Sequence, residues 1–201
     1  MPLEFAVKVF LLVYKKKDGG RLLRGDLPVF DENIEFRSLQ KGNMSFHEVY
    51  EEILKFISSD TGSSYKISVG TDSHAGPTTI FVSCILVHRV GKGAIGFLHK
   101  NEIPRKIKNL REKIYLETCA SLQLAYLFND EKMANIIKTV KSGGAFKGVT
   151  FEFHIDVGKN GPTKTLINEM VGMVKGLNFI PKIKPDSYCA SCFADRYTKA
   201  I

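Results

Sequence analysis

The chain predicts an α/β fold: a mixed β-sheet in which a three-strand antiparallel meander is followed by alternating helices and strands, with helices on both faces. Three observations carry this. Residues 65–72 (YKISVGTD), 79–90 (TIFVSCILVHRV) and 94–100 are consecutive runs of β-formers, and the second and third are joined by Gly91-Lys92-Gly93, a link of antiparallel-hairpin length. Residues 149–157 alternate, with Val149, Phe151, Phe153, Ile155 and Val157 on one face and Thr150, Glu152, His154 and Asp156 on the other. Helical segments at about 107–128, 163–175 and 187–199 separate or follow the later strands, giving β-β-β-α-β-α-β-α from Tyr65 onward.

Ahead of this order, residues 3–14 (LEFAVKVFLLVY) read as a strand. Residues 21–43, broken by Gly25, Pro28 and Gly42, read as an irregular arm. Ser45 with Glu48 three residues later is a capping box opening a helix to about Ile57. Thr163 and Ser187 are the expected caps of the two later helices, and residues 179–183 a short strand between them.

The 201 residues suit one domain with an arm, and roughly 70% of the unfolded surface of such a chain can be buried without staples. The four cysteines therefore need not form disulfides. The run at 3–14 has no basic segment ahead of it and is shorter than the roughly 20 residues of a membrane span, so neither signal peptide nor membrane is expected, and a reducing cytoplasm is the expected location. The net charge of +8 favours polyanionic partners, DNA or RNA. Lys100, Arg105, Lys106, Lys108, Arg111 and Lys113 fall within fourteen residues, a cluster that reads either as a solvated helix face or as a phosphate-gripping surface.

Four carboxylates fall where α/β folds place chemistry. Asp72 ends the first strand of the meander, in Val69-Gly70-Thr71-Asp72-Ser73. Glu117 lies among Leu110, Ile114, Ser121, Leu124 and Phe128, an inward stripe where an unpaired carboxylate costs several kcal/mol. Asp156 ends a strand just before Gly158, Asn160 and Gly161, at the strand end where such sheets bind ligands. Asp195 lies on the last helix, with Tyr188, Ser191 and Cys192. Singly, each reads as a turn, paired or surface acid. Together they suit two hard cations, Mg²⁺ or Mn²⁺, for phosphodiester chemistry.

Other motifs are weaker. Gly158–Thr165 lacks the glycine that a phosphate-binding P-loop needs at 163. Cys189-Ala-Ser-Cys192 has no second pair to complete a zinc site, and small helix-packing cysteines are expected. His154 is expected to be a satisfied interior histidine, and Met170 and Met173 to be core.

The segments VGTDS (69–73), YLETCASLQLA (115–125), HIDVGKNGPTKTLINEMVGMVKG (154–176) and KPDSYCASCFADRYTK (184–199) resemble the YkuK family of ribonuclease H-like proteins. The resemblance covers roughly residues 42–201 and implies a ribonuclease H-like domain there, with 1–41 outside it as strand and arm. It also implies a nuclease activity. By element order, Asp72, Glu117, Asp156 and Asp195 match the superfamily's acidic positions, as catalytic and metal-binding residues. Ser73, His74, Asn160, Lys164, Lys182, Lys184, Arg105, Lys106 and Lys108 are the expected substrate-binding residues. A catalytically silent nucleic-acid-binding module is the alternative. An actin-like ATPase is disfavoured, because it needs two such domains.

Overall fold

The computed structural model describes residues 30–38, 40–144 and 147–198. The strand expected at 3–14 lies outside them. The centre of the structure is the expected meander: β3 (Tyr65–Ala75), β4 (Thr79–Arg89) and β5 (Gly93–Ile103) pair antiparallel along their full lengths. The β4–β5 turn places Gly91 at φ 77° and Gly93 at φ 112°, conformations that a side chain resists. β6 (Val149–Gly158) lies parallel to β3, and β7 (Ile180–Lys184) parallel to β6.

Two short strands extend the other edge. β1 (Glu35–Ser38) and β2 (Gly42–Ser45) form a hairpin, and β1 pairs with β5, giving the order β2-β1-β5-β4-β3-β6-β7. Within the stretch expected to be irregular, residues 35–38 and 42–43 instead belong to these strands. Phe30, Ile34 and Phe36 are buried in the same core as the meander, and burying their apolar area overrides the weak local signal.

The helices divide between two layers. α1 (Phe46–Ser58) carries the capping box: Ser45 Oγ accepts from Glu48 N–H at 3.3 Å, and Ser45 N–H donates to Glu48 Oε2 at 2.7 Å. α2 (Leu110–Tyr126) starts later than expected because Asn109 is its cap, accepting from Glu112 N–H at 3.1 Å. α3 (Asp130–Lys141) is an addition to the expected order, capped by Asn129. A 3₁₀ turn (Pro162–Leu166) leads into α4 (Ile167–Gly176). Thr163 does not cap it; its hydroxyl accepts from Gly158 N–H at 3.1 Å. These helices pack with Ile67, Val69, Phe81, Ile85, Phe97, Phe153 and Ile155 in the main core.

The opposite face, where Gly70, Asp72, Cys84, His154 and Asp156 alternate outward, is covered by the C-terminal segment. This is a π-helical stretch (Cys189–Ala194) running into α5 (Asp195–Thr198). Ser187 makes no capping bond there; its buried hydroxyl has no hydrogen-bond partner. The segment lies nearly flat on the sheet. A Cβ on Gly70 would stand 2.9 Å from both Cβ and N of Ala190, and one on Gly96 would stand 2.4 Å from the Phe193 ring. Glycine inside these strands is what the close approach requires. Cys84 and Cys189 form a disulfide across this interface, with Cα atoms 6.6 Å apart, which corrects the expectation of unpaired helix-packing cysteines. The partners are 105 residues apart, so only the fold brings them together. Of the suspected Cys-x-x-Cys pair, Cys192 is exposed and free.

Gly70→Ala is expected to lift this segment off the sheet. Overpacking of this kind costs about 1–3 kcal/mol, lowering Tm by roughly 3–10 °C for a chain of this size. Thermal unfolding checks it, and an unchanged Tm would show that the segment is not held by this contact.

Candidate active site

The carboxyl ends of the parallel strands β3, β6 and β7 lie at one end of the sheet, and the four predicted carboxylates are found there. Asp72, on the last turn-ward stretch of β3, is 4% exposed, and Thr198 donates its hydroxyl to Oδ2 at 2.8 Å. Burial pushes its pKa up to about 6, opposed by the Thr198 hydrogen bond and by Lys113 and assisted by the charges of Asp156 and Asp195. Asp195, half-buried at the start of α5, therefore stands on the same side of the sheet as Asp72 and within its electrostatic reach.

Glu117 comes from the other layer. It is 3% exposed on α2, where Ser73 donates its hydroxyl to Oε1 at 2.7 Å and Lys113 Nζ lies 3.6 Å from the same oxygen. Burial pushes its pKa up to about 8; Lys113 and Ser73 pull it down, while Asp72 and Asp156 push it further up. Glu117 Oε2 is buried with no hydrogen-bond partner. The stripe that singled out Glu117 is only part of its environment, because every residue of α2 from Ile114 to Ala125 is buried. Three hydroxyls hold this helix in register: Ser121 donates to Thr71 at 2.9 Å, and Thr71 lies 2.9 Å from Ser83.

Asp156 sits where the β6–β7 pairing slips between His154 and Gly158, which brings Lys184 beside it. Lys184 Nζ donates to Oδ2 at 3.1 Å. It is also 2.9 Å from Oδ1, but off the angle of a hydrogen bond, so this buried oxygen too lacks a donor.

The expected substrate residues divide. Ser73 is buried and serves Glu117 rather than the surface. His74, Asn160, Lys164, Lys106 and Lys108 are exposed, whereas Arg105 is held by Glu112 at 2.5 Å and Lys182 lies 3.8 Å from Glu152. Thr79 ties the basic stretch to the site end of the sheet, donating to Arg105 C=O and accepting from Ile107 N–H, both at 2.8 Å. The basic cluster is less free than its sequence suggests, since Arg111 pairs with Glu169 and Lys113 with Glu117. His154 is the satisfied interior histidine expected: Nδ1 accepts from Cys189 N–H at 3.0 Å, Nε2 lies 3.3 Å from Glu152, and burial lowers its pKa.

Thr198 and Lys113 contact two of these acids, and the acid pattern did not reveal either. Lys113 had a readable signal, the i,i+4 spacing to Glu117. Thr198 had none, because its partner is 126 residues away. Among the described residues, no group of three or more His, Cys, Asp or Glu side chains is arranged to hold a metal ion as it stands.

A seven-stranded mixed sheet with acids at the ends of its central parallel strands and on two covering helices is a ribonuclease H-like architecture. The family model described as "Ribonuclease H-like" matches residues 48–199. The uncharacterized protein YkuK of Bacillus subtilis (strain 168) is 41% identical over 170 residues, covering 84% of this chain and 99% of that protein. The chain belongs to the YkuK family of ribonuclease H-like proteins. No solved structure matches it. No helix among the described residues is long and apolar enough to cross a membrane.

The raised acid pKa values set a pH dependence. Folded Glu117 keeps its proton until about pH 8, whereas the unfolded chain releases it near 4.5. Stability therefore falls as pH rises through that window, and Asp72 adds to the fall between 3.8 and about 6. In EDTA, Glu117→Gln is expected to match wild type in Tm near pH 4 and to exceed it by several degrees at pH 8. Parallel Tm–pH curves for the two proteins would show that Glu117 carries no buried-charge penalty.

Proposed function

We propose that this protein is a divalent-metal-dependent phosphodiesterase acting on nucleic acid. The observation that carries the reading is the gathering of Asp72, Glu117, Asp156 and Asp195 at the strand ends of a ribonuclease H-like sheet, with Glu117 Oε2 buried and lacking a donor. A buried carboxylate oxygen without a donor is destabilising unless a proton or a cation meets it. Oxygen-only ligands suit Mg²⁺ or Mn²⁺ rather than a softer metal. Asp72, Glu117, Asp156 and Asp195 would hold two such ions, which activate water and stabilise the leaving oxygen of a phosphodiester.

The chain's own groups orient these ligands. Ser73 fixes Oε1 of Glu117, leaving Oε2 for a cation, and Thr198 fixes Oδ2 of Asp72. Substrate phosphates would be met by Lys164, Lys106 and Lys108, with His74 and Asn160 beside the strand ends. Arg105, Lys182 and Lys184 would join them by exchanging a carboxylate for a phosphate.

A second reading, a silent nucleic-acid-binding module, is favoured by two observations: Lys113 and Lys184 already accompany Glu117 and Asp156, and among the described residues no three ligands are pre-assembled. Asp156→Asn separates the two. It keeps the shape and removes one ligand charge. Labelled single- and double-stranded DNA, RNA and hybrids, with Mn²⁺, Mg²⁺ or EDTA, are expected to show cation-dependent cleavage by wild type. The variant should lose at least about 100-fold while binding is kept or tightened. Cleavage that persists undiminished in the variant removes these acids from the reaction, and cation-independent binding without cleavage in both proteins supports the silent module.

A further inference from the structure

The same two lysines have a placement that phosphate binding does not explain. Lys113 Nζ donates to Ser73 C=O at 2.8 Å while lying 3.6 Å from Glu117 Oε1, so it bridges the end of β3 to α2. Lys184 Nζ lies 2.9 Å and 3.1 Å from the two oxygens of Asp156. Each ammonium thus faces one acid: Lys113 stands on the Oε1 side of Glu117, whose Oε2 lacks a hydrogen-bond donor, and Lys184 stands against both oxygens of Asp156. Two positive charges stand beside the four acids, whose ionised members would otherwise repel one another at close range.

We infer that Lys113 and Lys184 are built-in competitor cations, which neutralise the acid cluster in the absence of metal and must be displaced for divalent ions to enter. The inference rests on the metal-dependent reading above and adds to it the device that sets the ion concentration at which the site fills. A lysine tethered within a few ångströms of its carboxylate acts at a high effective concentration, so an entering ion must supply more than the ammonium already does. Exposure fits as well: the side chain of Lys113 is 26% exposed and that of Lys184 47%, so both can swing toward water when displaced. Both act on ion binding as positioning residues, through the carboxylates.

Mn²⁺ titration by calorimetry, with Tm measured alongside, tests this on wild type, Lys113→Gln, Lys184→Gln and the double variant. Lys113→Arg serves as a charge-retaining variant and Lys182→Gln, whose partner is Glu152, as a control. Removing each competitor charge is expected to tighten Mn²⁺ binding about tenfold and to enlarge the Mn²⁺-induced rise in Tm, while Lys113→Arg and Lys182→Gln stay near wild type. Tm in EDTA shows whether each variant folds. If Mn²⁺ binds wild type and both glutamine variants equally, or binds the variants more weakly, the lysines are not competitors, and the metal-dependent reading stands without them. If Mn²⁺ binds the double variant but not wild type, the competition is confirmed in its strongest form. If no protein in the set binds Mn²⁺, both the inference and the metal-dependent reading fall.

Discussion

A carboxyl group does not remain inside a protein without a proton, a partner or a metal, and this constraint organises the structure around Glu117. The residue is almost wholly enclosed on α2, between a meander strand and the body of the main core. Everything within reach of it answers its charge: Ser73 donates to one oxygen, Lys113 approaches that same oxygen, and the second oxygen is left without a donor. Asp72 and Asp156 aggravate the problem from the other layer of the sheet. A fold optimised only for stability would place an apolar residue here. An ionisable group whose pKa is driven up to about 8 in this place is what the proposed cation site would account for.

The site depends equally on how the C-terminal segment meets the sheet. Asp195 and Thr198 reach Asp72 only because the π-helical stretch before them lies against β3 and β5, and Gly70 and Gly96 leave room for it. The extra residue per turn in a π-helix is a common feature of functional sites, where it re-aims the side chains that follow. The packing of Cys84, Val82, Leu98, Cys189 and Ala194 beneath the segment forms a second, smaller core, and the disulfide crosses it. Asp72 is thus linked to both layers, with Glu117 on one side and Asp195 on the other.

Much of this was legible from residue patterns. The alternation over 149–157, the Gly-Lys-Gly link and the capping box at Ser45 are local signals, and each element formed as expected. The acids were legible because strand ends and a buried helix are unusual places for them. What escaped was non-local. The β1–β2 hairpin has little intrinsic strand character and exists because Phe36 and Met44 are buried against the core. The Cys84–Cys189 pairing and the Thr198–Asp72 hydrogen bond join residues more than a hundred positions apart. Ser187 and Thr163 look like helix caps in sequence, yet Ser187 precedes a π-helical stretch, and Thr163 lies inside the 3₁₀ turn, where its hydroxyl accepts from Gly158 N–H instead.

The central claim is that the four carboxylates form a cation site when ions are supplied. Crystals grown with Mn²⁺, with anomalous diffraction collected at the manganese edge, address it most directly. The account predicts one or two manganese peaks at about 2.1–2.3 Å from carboxylate oxygens that include Glu117 Oε2 and Asp156 Oδ1, with Lys113 and Lys184 turned away from them. Well-ordered carboxylates without a manganese peak, the two lysines still in place at saturating Mn²⁺, would contradict it.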